Sequence, residues 1–471
     1  MSLLTRLRRF SHTGKGGGVT EIGDVAVVHA GDGGTGEARA LAAALPADPA
    51  HQVVVADLPC ESPVEVWEAV AAAVPRDHRP VRLIPGRQPL EIGATVPPWF
   101  AQRLGRPVLA AYGRVHHGAG GALFVHSGPR TGWGWFQPGQ APEWAAKRFP
   151  SPAWESPALA EVVAAGAGAV AEPVPAGMWI HPPGPGERFA RERARLASAL
   201  PCQQETPVFV LGSDEVPGLE LGDVAAFWRA LPPEVRGKAW FAVIGGVVVP
   251  GGGAAGPALA AAIGAEVSCY NGIPLGSPDS PAVLAPRRDG GRGWYPFARG
   301  LAYRPGDTRP RLRGHRAPIG GLPEIAPGVY RYAPDVAIEI VQAGLWVRPL
   351  ENTGAGTAWS VPLDPACAVV LYETTVQEKA ERMHGVAQEL VRRLETPART
   401  VPTAVPPMPP AAEPEPEEKE EAVADDAADT GLPLLSRLLE TTVMAVPVRP
   451  SGPPLSGLSA RLEGLTDERG H

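Results

Sequence analysis

No run of about 20 consecutive apolar residues occurs in the chain, so no segment of it is expected to span a bilayer as a helix. Cysteine is sparse. The four residues, Cys60, Cys202, Cys269 and Cys367, lie far apart without a C-x-x-C pair, which excludes a disulfide framework and a thiolate zinc ribbon. Buried, reduced thiols in a cytoplasmic protein are the expectation. Positive charge is not in surplus either: the net charge of −7 leaves no general footprint for nucleic acid or an anionic membrane. Lysine supplies only five of the 43 basic residues. The signatures of the common hydrolases and metal sites are absent, with no G-x-S-x-G elbow, H-E-x-x-H, P-loop or EF-hand loop. The opening MSLLTRLRRFSH is basic but lacks the apolar stretch of a secretory signal. A frayed terminus is expected there, with a short membrane- or partner-touching amphipathic helix as the other reading.

What the chain does have is glycine and proline, 56 of each, and abundant alanine and arginine. That bias points to a high-GC, actinobacterial genome, and it raises the background of chance glycine motifs. Against it stands an internal repeat, offset by about 152–160 residues, of the kind that must be sought before an architecture is named. VAVVHAGDGGTGEARALAAALP (25–46) matches GMWIHPPGPGERFARERARLASALP (177–201). HQVVVADLP (51–59) matches TPVFVLGSDE (206–215), pairing Asp57 with Asp214, and the helices 64–75 and 224–233 bring Trp67 opposite Trp228. VRLIPG (81–86), the helix 99–113 and the Trp-rich GWGWFQPG (132–139) continue the series in FAVIGG (241–246), 257–272 and GRGWYPFARGLAYRPG (291–306).

Apolar runs of five to seven residues alternate with amphipathic helices in each copy, which implies a mostly parallel sheet covered by helices. The expected organisation is therefore two tandem Rossmann-like α/β units, 20–155 and 176–318, joined by a connector (156–175) that carries one helix. A small α+β piece at 326–396 completes the second sheet or caps the pair. Residues 397–430 form a Pro- and acid-rich linker too poor in apolar side chains to fold. In 431–471, Leu435, Leu438 and Leu439, and then Leu455, Leu458, Leu462 and Leu465, form short helical stripes suited to docking on a protein partner.

Candidate chemistry concentrates at the strand tips of the first copy. Gly31-Asp32-Gly33-Gly34-Thr35-Gly36 follows an apolar strand and precedes a helix, with Asp57 ending the next strand. That is the context of a dinucleotide fingerprint, in which Gly31, Gly33 and Gly36 admit a pyrophosphate and Asp57 takes a ribose hydroxyl. The second copy replaces it with Gly184-Pro185-Gly186-Glu187, whose proline has no donor and whose acid repels phosphate. A structural turn is the competing reading, and a nucleotide is the one cofactor the sequence suggests. His29 and His181 end the first strand of each copy, where ligands of α/β sheets sit, and are the candidate catalytic residues. His116, His117 and His126 fit no standard ligand spacing, so no metal is assigned. The Trp133/Trp135/Phe136 and Trp294/Tyr295/Phe297 clusters read as core fillers. An arginine run over 287–316 suits an anionic partner, the chain's own acidic tail or a solvated face.

In layout, with repeats over 20–318 and the linker at 397–430, the chain resembles large actinobacterial proteins whose tandem α/β modules precede a Pro/acid-rich linker. Some of those resemble toxin or effector architectures with a terminal catalytic domain. Here 41 residues follow the linker, too few for such a domain. Three functions are thus expected in descending order: a non-catalytic cytoplasmic scaffold or adaptor with a docking tail, a nucleotide-binding enzyme using Gly31–Gly36, and the body of an effector without its catalytic domain.

Overall fold

A computed structural model describes residues 18–403 apart from 30–33, 60, 127, 129, 185, 217, 286–292, 353–355 and 376. Gly31, Gly33, Cys60, the basic opening residues 1–12, Arg287, Arg288 and Arg292, residues 404–430 of the Pro/acid-rich linker and both leucine stripes lie outside the described residues. Within them, no helix is long and apolar enough to cross a membrane.

The first sheet uses the apolar runs read above. Its strands are β1 (Gly18–Ile22), β2 (Val25–His29), β3 (Gln52–Asp57), β4 (Val81–Pro85), β5 (Val108–Tyr112), β8 (Gly132–Phe136) and β9 (Glu143–Ala146), and they lie in that order. β2 to β5 are parallel, while β1, β8 and β9 are antiparallel to their neighbours. A smaller sheet combines β6 (Val115–His117), β7 (Leu123–Val125) and β10 (Arg148–Phe149). Strands buried on both faces need a helix layer on each side. α1 (Gly36–Ala44) covers one face, placing Ala38, Leu41 and Ala42 against Val25, Val27, Val53 and Val55. α2 (Val64–Ala73) and α3 (Val96–Leu104) cover the other, where Trp67, Val70 and Phe100 meet Val54, Ala56 and Leu83.

The second sheet has the same plan with one more strand. β11 (Val163–Ala165), β12 (Ala169–Val174), β13 (Gly177–His181), β14 (Val208–Leu211), β16 (Trp240–Val243), β18 (Val267–Tyr270), β21 (Ala298–Tyr303) and β22 (Arg311–His315) lie in that order, with β13, β14, β16 and β18 parallel. Two short pairs flank it, β15 (Leu219–Glu220) with β17 (Val247–Val248) and β19 (Ile273–Leu275) with β20 (Ala282–Leu284). α4 (Glu187–Ala199) packs on one face through Phe189 and Leu196. α5 (Leu221–Ala230), the short α6 (Pro233–Arg236) and α7 (Ala255–Ile263) bury side chains in the core of the other. The expected connector helix over 156–175 is not formed. Apart from a single 3-10 turn at Pro157–Leu159, that stretch is the β11–β12 hairpin, because Gly166 (φ 68°) and Gly168 break a helix while Val163, Val170 and Val174 favour strands.

Residues 324–402 build a sheet of their own. β23 (Glu324–Ala326), β24 (Val329–Ala333), β25 (Val336–Val341), β26 (Gly344–Pro349), β27 (Ala368–Tyr372) and β28 (Ala398–Pro402) run in sequence order, the last three parallel. α8 (Gly356–Ser360) and α9 (Gln377–Arg393) provide its crossovers, with Met383, Val386 and Leu390 of α9 in the core. This sheet does not complete the second one. β28 also falls inside the stretch expected to be unfolded linker, since Thr400 and Val401 pair with Val370 and Leu371.

Each of the three sheets starts its parallel part with a tight hairpin in matching register: Ile22↔Val25, Val174↔Gly177 and Val341↔Gly344. The parallel strands then follow one another without reversal, unlike the 3-2-1-4-5-6 order of a dinucleotide-binding sheet.

Candidate functional site

In the first two sheets the connections leaving the first and second parallel strands pass to opposite faces, α1 against α2 and α4 against α5. Such a divergence opens a crevice beyond the strand ends, the usual ligand position in open α/β sheets. His29 and Asp57 end their strands, as expected, and stand side by side at this point of the first sheet.

Their surroundings are filled by the chain itself. Asp57 is fully buried. Its Oδ2 accepts from the Thr35 amide (2.5 Å), and its Oδ1 accepts from Thr35 Oγ1 (2.9 Å) and Arg87 Nε (2.6 Å). Thr35 in turn caps α1 by accepting from the Ala38 amide (3.3 Å). Burial alone would raise the Asp57 pKa, but the hydrogen bonds from Arg87 and Thr35 hold it below the usual carboxylate value. His29 is buried, with a ring nitrogen 3.2 Å from Thr20 Oγ1. Gly36 is the first residue of α1.

The second sheet places His181 in the equivalent position, at the tip of β13. Its ring is 1% exposed and lies against Trp179 (centroids 3.9 Å apart) and Phe189 (4.7 Å). Nδ1 donates to the Pro182 carbonyl (2.8 Å), and Nε2 has no hydrogen-bond partner among the described residues, with a Glu172 oxygen 3.7 Å away. Glu172, also buried, is bonded by Arg193. Burial pushes its pKa up, but the nearby His181 and the Arg193 guanidinium bring it below the ordinary value. His126, Glu172, His181, Phe189 and Arg193 line an open recess of about 380 Å³. Deeper in, burial raises the Glu192 carboxyl, which accepts from Ser213 Oγ (2.5 Å) and the Asp214 amide (3.1 Å). The sheet register sets Gly212, not Asp214, opposite Asp57, and the Asp214 side chain is exposed.

The third sheet repeats the pattern with other residues. Thr20, Glu172 and Glu339 stand opposite Val27, Trp179 and Trp346 in their hairpins, and reach diagonally to His29, His181 and Arg348. Glu339 accepts from Arg348 Nε (2.7 Å) and Arg309 Nη2 (2.5 Å). Sequence reasoning missed Glu172 and Glu339. The signal was present as a single acid inside an otherwise apolar strand, A-V-A-E-P-V and V-A-I-E-I-V.

His116 lies on β6 and His126 follows β7; burial drives the His116 pKa down to about 4. Among the described residues no group of three or more His, Cys, Asp or Glu side chains is arranged to hold a metal. Trp133, Phe136, Trp294 and Phe297 are buried core residues, whereas Tyr295 is 54% exposed. Burial pushes the Cys202 and Cys269 thiols to about 12, far from nucleophilic thiolates. Comparison of the chain with known protein families, with curated proteins and with solved structures finds no match.

Proposed function

We propose that the chain is a non-catalytic scaffold or adaptor: a body of repeated α/β units followed by a docking segment, 431–471, on an acidic tether. In this reading the units expected over 20–155 and 176–318 are two copies of one unit, the second starting at the β11–β12 hairpin rather than at residue 176, and the sheet over 324–402 is a shortened third. The matching strand orders and the equivalent polar pairs at the three hairpins support the repetition.

The observation that carries the non-catalytic reading is the engagement of Asp57. A fingerprint acid must offer its carboxylate to a ribose, yet both oxygens of this one are held by Thr35 and Arg87 beneath the turn. The Gly34–Gly36 end of the turn is thereby tied to the second strand as a structural element. Shape, not chemistry, is then what the units supply.

The docking half of the proposal is tested by deleting 431–471. The melting temperature of the remaining chain is expected to stay within about 1 °C, because short amphipathic helices of this length are marginal alone and await a partner groove. A fall of several degrees would place the leucine stripes on the body itself and end the docking reading.

A further inference from the structure

Among the described residues of the arginine run singled out in the sequence, several gather at one edge of the second sheet. β21 and β22 form a ribbon along the edge of the second sheet, and Arg299, Arg304, Arg311 and Arg313 are exposed on or beside it. Glu266 draws three of them together: Arg304 Nε donates at 2.7 Å, Arg313 Nη2 at 2.9 Å, and Arg311 Nη2 also bonds this one carboxylate. The guanidiniums hold the Glu266 pKa below its usual value, Arg304 most strongly. Three cations around one anion leave a surplus of positive charge, and Arg299, exposed on the same ribbon, stands near Arg316. Arginines held at fixed spacing by a shared acid present their remaining donors in a defined array, suited to carboxylates.

Two facts indicate what this surface faces. First, the charge of the chain is uneven. Residues 413–429 contain nine acids and one lysine, so they account for all of the net −7, and the rest of the chain is nearly neutral. Second, the strand that leads into the tail is joined to the second sheet just after this ribbon. Arg316, which follows β22, donates through Nη2 to Thr396 Oγ1 (3.3 Å), seven residues before Thr403. The ten residues from Thr403 to Glu413 reach about 33 Å when extended, against a radius of gyration of about 21 Å for a domain of this size.

We propose that the acidic segment Glu413–Asp429 docks in cis on the arginine-bearing β21–β22 ribbon, whose exposed cations are Arg299, Arg304, Arg311 and Arg313, latching the tail to the body. Tethering supplies an effective concentration in the millimolar range, so weak, screened contacts suffice. The docking segment 431–471 is then held near the second sheet and is released when salt or a competing polyanion occupies the arginines. This goes beyond the scaffold reading and does not depend on it.

The test is cleavage of the full-length chain by a glutamate-specific protease, following the sites at Glu417–Glu421. At 20 mM NaCl these sites are expected to be cut at least tenfold more slowly than in a free peptide of residues 404–430. Protection is expected to vanish at 500 mM NaCl, with the free peptide in the same buffer correcting for the protease. The Arg299→Gln/Arg311→Gln/Arg313→Gln chain, which keeps the Arg304–Glu266 pair, is expected to lose protection at low salt with an unchanged melting temperature. Should that variant be unstable, the salt comparison on the native chain decides alone. Equal rates in chain and peptide at low salt, or protection that survives both salt and substitution, overturn the proposal. Protection that appears only at high protein concentration, together with a doubled mass by light scattering, would place the segment on a second copy and overturn the cis arrangement.

Discussion

At Asp57 two physical effects oppose each other, and their balance sets the first prediction. Burial penalises the carboxylate, while Thr35 and Arg87 stabilise it and win, leaving the pKa depressed. A depressed carboxylate contributes stability that is present above its unfolded pKa near 3.8 and is lost as pH falls through the folded value. Asp57→Ala is therefore expected to lower stability at pH 7 by about 1–3 kcal/mol, the cost of leaving buried donors unmet. Denaturant titration is expected to show the loss shrinking as the pH drops below 4. A constant loss across that range would mean the carboxylate is not ionised in the fold. Lys147 carries the second prediction. Its fully buried amine donates to Thr131 O (2.7 Å) and Thr131 Oγ1 (2.6 Å), and burial lowers its pKa to about 8. Between pH 8 and the unfolded value of about 10.4 the folded chain binds fewer protons than the unfolded one, so this residue makes stability rise with pH. Lys147→Met is expected to flatten that rise, and an unaltered slope would contradict the assignment. Residue types and spacing placed Asp57 and His29 together at adjacent strand tips. They did not disclose that Thr35 and Arg87 occupy the carboxylate, because Arg87 lies 30 residues further on and reaches it only through the fold.

Elements were legible where periodicity was strong. The buried strands over 25–29, 52–57 and 208–211 and the helix over 377–393 stand where the apolar pattern placed them. The β11–β12 hairpin was misread because alanine-rich sequence suits a helix until Gly166 and Gly168 are weighed as a turn, and β28 because five residues beside a proline-rich tract look like linker. Gly177 and Gly344 show a constraint no pattern announced. Each opens the first parallel strand of its sheet at φ near +150°, and a Cβ would come within 2.4 Å of Val208 O or 2.5 Å of Val369 O. Gly344→Ala is expected to cost at least about 1–3 kcal/mol, the range of backbone strain, measured by chemical denaturation. A neutral effect would show that the hairpin relaxes freely. β28 yields another prediction. Because its strand pairs along its whole length with β27, limited proteolysis should make its first cuts beyond Thr403 and leave a core that retains Ala398–Pro402. A stable fragment ending at Leu394 would remove β28 from the fold.

For the whole molecule, three sheets that each begin with a hairpin and a polar strand-tip pair make a body whose distinguishing groups point inward, into their own hydrogen bonds. The succession of sheets with parallel strands covered by helices was readable from the alternation of apolar runs and helical stretches. The third sheet was not, since its resemblance lies in hairpin register rather than in composition. Function is where the sequence was ambiguous, between a phosphate-binding turn and a structural one, and Asp57 inclines the account to the second. The most direct measurement is thermal denaturation of the full-length chain against NAD, NADP, FAD, ATP and GTP at up to 1 mM. The account predicts no shift beyond 1 °C with any of them. A stabilisation of several degrees by one nucleotide, abolished by Gly33→Val in a chain that still folds, would contradict the scaffold reading and return the Gly31–Gly36 turn to the role of a binding loop.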